Sequence, residues 1–169
     1  MSRITRAAAI AAVLFVASPL SADGQVELCE EAERFVRELV GMVAVSEPDT
    51  IDDWRTKAIV EGCRVTAAGA TQRSPTDNVR LFYEVLGESG WVRTPDPRDA
   101  PNEGALRFRR DGADCLFNYY DSSVSLDTEA ELMVINAVPL RSGERIFNFL
   151  VRCTHAAPAA PMGTELSVW

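Results

Sequence analysis

Residues 145–154 read Arg-Ile-Phe-Asn-Phe-Leu-Val-Arg-Cys-Thr, the longest apolar strand pattern in the chain. Alternation puts Phe147, Phe149, Val151 and Cys153 on one side of an extended backbone. Ile146 and Leu150 make the other side apolar as well. An antiparallel strand with one wet face is not apolar on both. A helix or loop is therefore expected to cover the second face, with a partner surface as the alternative.

A matching pattern lies upstream. Leu106–Arg109 and Cys115–Tyr120 flank Asp111-Gly112, the dipeptide of a tight hairpin. Cys115, Phe117 and Tyr119 share one face there, and Tyr120 points to the other, beside Arg107 or Arg109. Bridged cysteines need Cα atoms within about 7 Å. A Cys115–Cys153 bridge thus requires the last strand to run antiparallel beside the 115–120 strand. Cys29 with Cys63 is then the second bridge. If residues 132–138 form an intervening strand, Cys63–Cys153 with Cys29–Cys115 is favoured instead. Thr128 and Glu131 offer a helix cap for the same segment, so strand and helix both stay open there.

Helices are expected toward the N-terminus. Leu28, Ala32, Phe35, Val36, Leu39, Val40 and Val43 recur at helical spacing, with glutamates early and Pro48 closing the segment. Ile51, Trp54, Ala58 and Ile59 predict a short helix over 50–61, stopped by Gly62. Cys63–Ala67 alternates as a strand. Ser74, Pro75 and Asp77 begin the clearest helix, carrying Val79, Phe82, Val85 and Leu86 inward to Gly87 or Gly90. Trp91 and Val92 start a short strand, and Thr94–Glu103, with three prolines, is loop. The expected architecture is α+β, with N-terminal helices packed on one face of a mostly antiparallel sheet and two disulfides stapling it. Element order alone is loosely similar to cystatin- or NTF2-like folds.

The ends predict export. Arg3 and Arg6 precede an uninterrupted run of 11 apolar residues, Ala7–Ala17, with small residues up to Ala22. That run falls short of the about 20 needed to span a bilayer. Residues 1–22 read as a signal peptide, 23–155 as one domain, and 156–169 as a flexible Ala/Pro-rich tail. No stable membrane insertion is expected after cleavage. All four cysteines lie in the mature part, and an even number in an exported chain argues for disulfides over zinc, since no short Cys or His spacing exists.

Composition narrows function further. The formal net charge is −8, and it falls to −10 once Arg3 and Arg6 are removed with the leader. Nucleic acid and anionic membrane are poor partners for such a chain. No cofactor motif is present. The single histidine, His155, stands where the body meets the tail, a poor place for a catalytic base. Asp52 and Asp53 beside Trp54 offer acid–base chemistry, with ordinary helix-start acids as the plainer reading. Asp121, Asp127, Glu129 and Glu131 crowd one loop, without the glycine and final glutamate of a calcium hand. Trp54 and Trp91 read as core, and Tyr119 as buried. Tyr120 with Arg107 and Arg109 is the candidate binding surface, because exposed Tyr and Arg are typical of interfaces. The leading expectation is a periplasmic or secreted binding, accessory or inhibitor-like domain with a protein partner in the cell envelope. A small enzyme using carboxylates and tyrosines in a cup, and a structural envelope protein, are the alternatives.

Overall fold

Residues 145–155, the last strand among the described residues, are central in the sheet. The computed structural model describes residues 27–96, 98–99, 104–121 and 123–156. The expected signal peptide, and the expected tail beyond Ala156, lie outside them. Six strands, β1 (Val43–Asp53), β2 (Ala58–Thr71), β3 (Val92–Arg93), β4 (Ala105–Arg110), β5 (Ala113–Asp121) and β6 (Arg145–His155), form one antiparallel sheet. Their order is β1-β2-β6-β5-β4-β3, so β6 joins a β1–β2 hairpin to a β3–β4–β5 meander.

Its register lines up three cysteines. Cys63 of β2 sits across from Cys153 of β6, which sits across from Cys115 of β5. Cys115–Cys153 is a bridge between these neighbours, with Cα atoms 4.1 Å apart, and Cys29–Cys63 ties the N-terminal helix to β2. Both expected pairings are present. They close loops of 34 and 38 residues. By chain entropy each stabilises the fold by about 4 kcal/mol.

The helix α1 (Glu30–Arg34) continues from a 3-10 turn at Glu27–Cys29 into a π-helical stretch at Phe35–Leu39. Gly41 then takes a left-handed φ of 76° and stops it. Val43, expected on the helix, instead opens β1. Pro48, expected to end the segment, lies inside β1, which tolerates it as an edge strand.

The expected helix over 50–61 is a β-hairpin. Thr50 and Ile51 pair with Glu61 and Val60 in an unbroken register. Asp53 builds the turn: its carboxylate accepts the Arg55 N–H at 3.0 Å, and its carbonyl accepts from Lys57 N at 2.8 Å. An Asx-type turn competes with helix capping for the same aspartate, and pairing of β-branched residues decides the outcome here.

The helix α2 (Pro75–Glu88) begins as expected. Ser74 Oγ accepts from Asp77 N at 3.1 Å, and Pro75 occupies the first turn. The helix ends before Gly90, whose φ is 92°. Asp111 and Gly112 both have positive φ, 47° and 83°, as a two-residue hairpin turn demands. Thr128 Oγ1 accepts from Glu131 N at 3.2 Å and caps α3 (Glu129–Ala137), so the open segment is a helix.

Helices α1 and α2 cover the first face of the sheet. Phe35, Phe82, Phe117 and Phe149 form its aromatic centre, with the Phe82 and Phe149 rings stacked 3.6 Å apart. Trp91 joins them, edge-on to Phe117. Tyr119 is only partly buried and packs against Phe149. The second face is covered at one end by α3, which packs on β1 and β2 and buries Ala130 and Val134. Leu150, apolar and buried on the side opposite Phe149, floors a cleft on this same face.

Candidate functional site

The second face carries the polar chemistry. Strand alternation brings Arg107 and Arg109 of β4, Asp114, Leu116 and Asn118 of β5, and Leu150 and Arg152 of β6 to it. The β1–β2 turn adds Asp53, Trp54 and Arg55 at one end. The segment between β3 and β4 adds Thr94, Asp96, Arg98 and Asp99.

An arginine–aspartate lattice ties these elements together. Asp114, 1% exposed, accepts from Arg55 Nη1 at 2.7 Å, Thr94 Oγ1 at 3.1 Å and Arg109 Nη2 at 3.4 Å. Arg55 also forks onto both oxygens of Asp53, at 2.9 and 3.1 Å. Arg107 and Asp99, both buried, make a two-pronged pair at 3.0 and 2.8 Å. The Arg107 guanidinium also lies 5.9 Å from the Trp54 ring centroid. Arg98 forks onto Asp96 and donates to the Arg55 carbonyl at 3.0 Å. Buried ions survive only when paired and hydrogen-bonded, and the planar guanidinium fork does both at once.

Guanidinium donors hold Asp53, Asp96 and Asp114 ionised. Burial alone would raise the pKa of Asp114, but hydrogen bonds and charge from Arg55, with Thr94 and Arg109, outweigh it and leave the pKa lowered. Asp53 follows the same balance through Arg55. Asp96, whose side chain is 15% exposed, is pushed far down by its hydrogen bonds from Arg98. A carboxyl kept ionised and saturated by guanidinium donors is a poor proton donor.

The expected residues fall in two places. Arg107 and Arg109 are in the lattice, one buried and one half-buried. Tyr120 shares their face but is 6% exposed, because α3 and its approach cover it. Burial pushes its phenol pKa up, and the nearby Glu131 carboxylate pushes the same way. An outward Tyr120 beside Arg107 and Arg109 is therefore not what the fold presents. The sequence pattern could not show that the 128–138 segment would fold back over this face. Asp52 and Asp53 point to opposite faces of β1, so they do not form an acid pair. The acidic loop after β5 serves its own backbone: Asp121 accepts from Ser123, and one Glu131 oxygen accepts from the Leu126 and Asp127 amides. All four cysteine sulfurs are in disulfides.

Sequence reasoning missed Arg55, Asp99, Asp114 and Arg152. The Asp111-Gly112 turn was a usable signal. A two-residue turn places Arg109 across from Asp114, which the register confirms.

Beside the lattice on the same face lies a cleft of about 280 Å³. Ala105, Leu116 and Leu150 floor it, and Trp54, Arg98, Asn118 and Arg152 surround it. In comparison with known proteins, the chain matches no family model, no curated protein and no solved structure.

Proposed function

We propose that the chain is an exported, non-catalytic binding domain that docks a protein of the cell envelope through the outer surface of α3. Two features support export. Residues 1–22 carry the basic start, apolar run and small residues of a secretory leader. The two buried disulfides suit an oxidising compartment. Among the described residues no helix is long and apolar enough to cross a membrane.

The observation that carries the docking role is where apolar side chains face solvent. Val124, Leu132, Met133 and Leu140, on α3 and its two flanks, are 52%, 61%, 53% and 54% exposed. The helix buries Ala130 and Val134 against the sheet and spends its larger residues outside, the reverse of a helix that serves only as a lid. Clustered exposed apolar residues mark interaction surfaces, whereas single ones are ordinary. Ile59, alone at the β1–β2 hairpin and 73% exposed, is the single kind. The enzyme reading draws no support from Asp53, which Arg55 occupies.

A photo-crosslinking amino acid at Leu132 or Met133, in protein expressed with its leader, tests the proposal. The expected result is one defined covalent product with an envelope protein, and none from the same probe at Ile59. Equal, diffuse labelling from both positions would contradict it.

A further inference from the structure

Arg152 is an unpaired charge on the second face. It is exposed and makes no ion pair among the described residues. Its cross-strand neighbour is another arginine, Arg64, whose charge is met by Glu47 at 3.1 Å. Like charges directly across a sheet destabilise it, so an unmatched arginine here is a cost to the fold. On its other side Arg152 stands across from Leu116, part of the apolar floor. The chain as a whole is acidic, at −8, yet the cleft rim has arginines and no carboxylate.

The cleft is also built rather than incidental. Trp54 is fixed by Arg107, which is itself locked to Asp99. Arg98 is pinned at the rim by Asp96 and the Arg55 carbonyl. Asn118 supplies an amide beside the leucines. A small void of about 10 Å³ adjoins the cleft, sharing Trp54, Leu116 and Arg152 and adding Thr154 together with Asp52, Asp53, Arg55 and Arg107. Trp54 Nε1 and Thr154 Oγ1 are buried without hydrogen-bond partners among the described residues. A void of that size holds at most one water, the ordinary partner of such groups.

The geometry points to a binding site for a small organic carboxylate with an apolar body. Its carboxylate meets Arg152, and its body lies on Leu116 and Leu150 against Trp54. A guanidinium suits the two oxygens of a carboxylate. The volume is just under the usual range for small-molecule pockets, which limits the ligand to a short chain or a single ring. This site is separate from the outer surface of α3 and does not depend on its role.

Octanoate is a suitable probe, titrated into the full disulfide-bonded protein by calorimetry and followed by backbone amide NMR. Saturable one-site binding is expected, with shifts centred on Ala105, Leu116, Asn118 and Leu150. Octylammonium should not bind. Arg152→Gln should weaken octanoate at least tenfold, about 1.4 kcal/mol, without lowering the melting temperature, because Arg152 is exposed and unpaired. Arg145→Gln, an exposed arginine at the far end of β6, should bind like the parent. No saturable octanoate binding, equal binding of octylammonium, or full affinity in Arg152→Gln would each overturn the inference.

Discussion

The two faces of the sheet use the same strands for different ends. On the first, aromatic rings, small aliphatics and both disulfides fill the space under α1 and α2. On the second lie ion pairs, a cleft and a short helix with exposed apolar residues. A dry face needs only shape and volume, and tolerates little else. A face with paired charges is costly to assemble but leaves directional groups in place. Strand alternation divides stability from contact, residue by residue, along β5 and β6.

The largest effect expected is on the first face. Replacing Cys115 and Cys153 together by alanine should cost about 4 kcal/mol, read by urea denaturation. A loss well under 1 kcal/mol would mean the row of cysteines does not staple the sheet. Next comes the lattice. Arg107→Met should cost about 3 kcal/mol, because it strands the buried Asp99. Adding Asp99→Leu should recover most of that loss, which separates the penalty of an orphaned charge from the worth of the pair. No recovery would break the view that the second face is assembled by matched charges.

Acid should act on the second face first. Asp53 and Asp114 have lowered folded pKa values, so their stabilising contribution is complete above the ordinary carboxylate range, near 3.8, and drains away as pH falls through and below it. Melting temperature should hold from pH 7 to 5 and drop below about pH 4. Asp114→Asn should flatten that drop. The smallest effect belongs to the cap: Thr128→Ala should cost about 1 kcal/mol and loosen α3 without touching the cleft.

Much of the first face was legible in the chain. Period-two alternation in 145–154 and 115–120, the Asp-Gly turn and the distance limit on a disulfide together placed β6 beside β5. The Ser74–Pro75 start of α2 was equally plain. What escaped has physical reasons. Ile51, Trp54, Ala58 and Ile59 match a helical stripe, but a turn-forming aspartate in their midst and β-branched flanks favour a hairpin. Gly41, which separates α1 from β1, is a single residue whose left-handed backbone leaves little trace in a pattern of apolar spacing. The site was least legible. Tyr120 was rightly placed opposite Tyr119, but exposure depends on what folds over a face. The lattice joins residues up to 59 positions apart, such as Arg55 and Asp114, which local patterns do not connect.

Every placement on either face follows from β6 lying between β2 and β5. Proteolysis of the native protein without reductant, with mass spectrometry of the linked peptides, tests that most directly. The expected peptides join Cys29 to Cys63 and Cys115 to Cys153, with no free thiol. Cys115 joined to Cys63, which would set β5 beside β2 in the place of β6, or four unpaired cysteines, would overturn that placement.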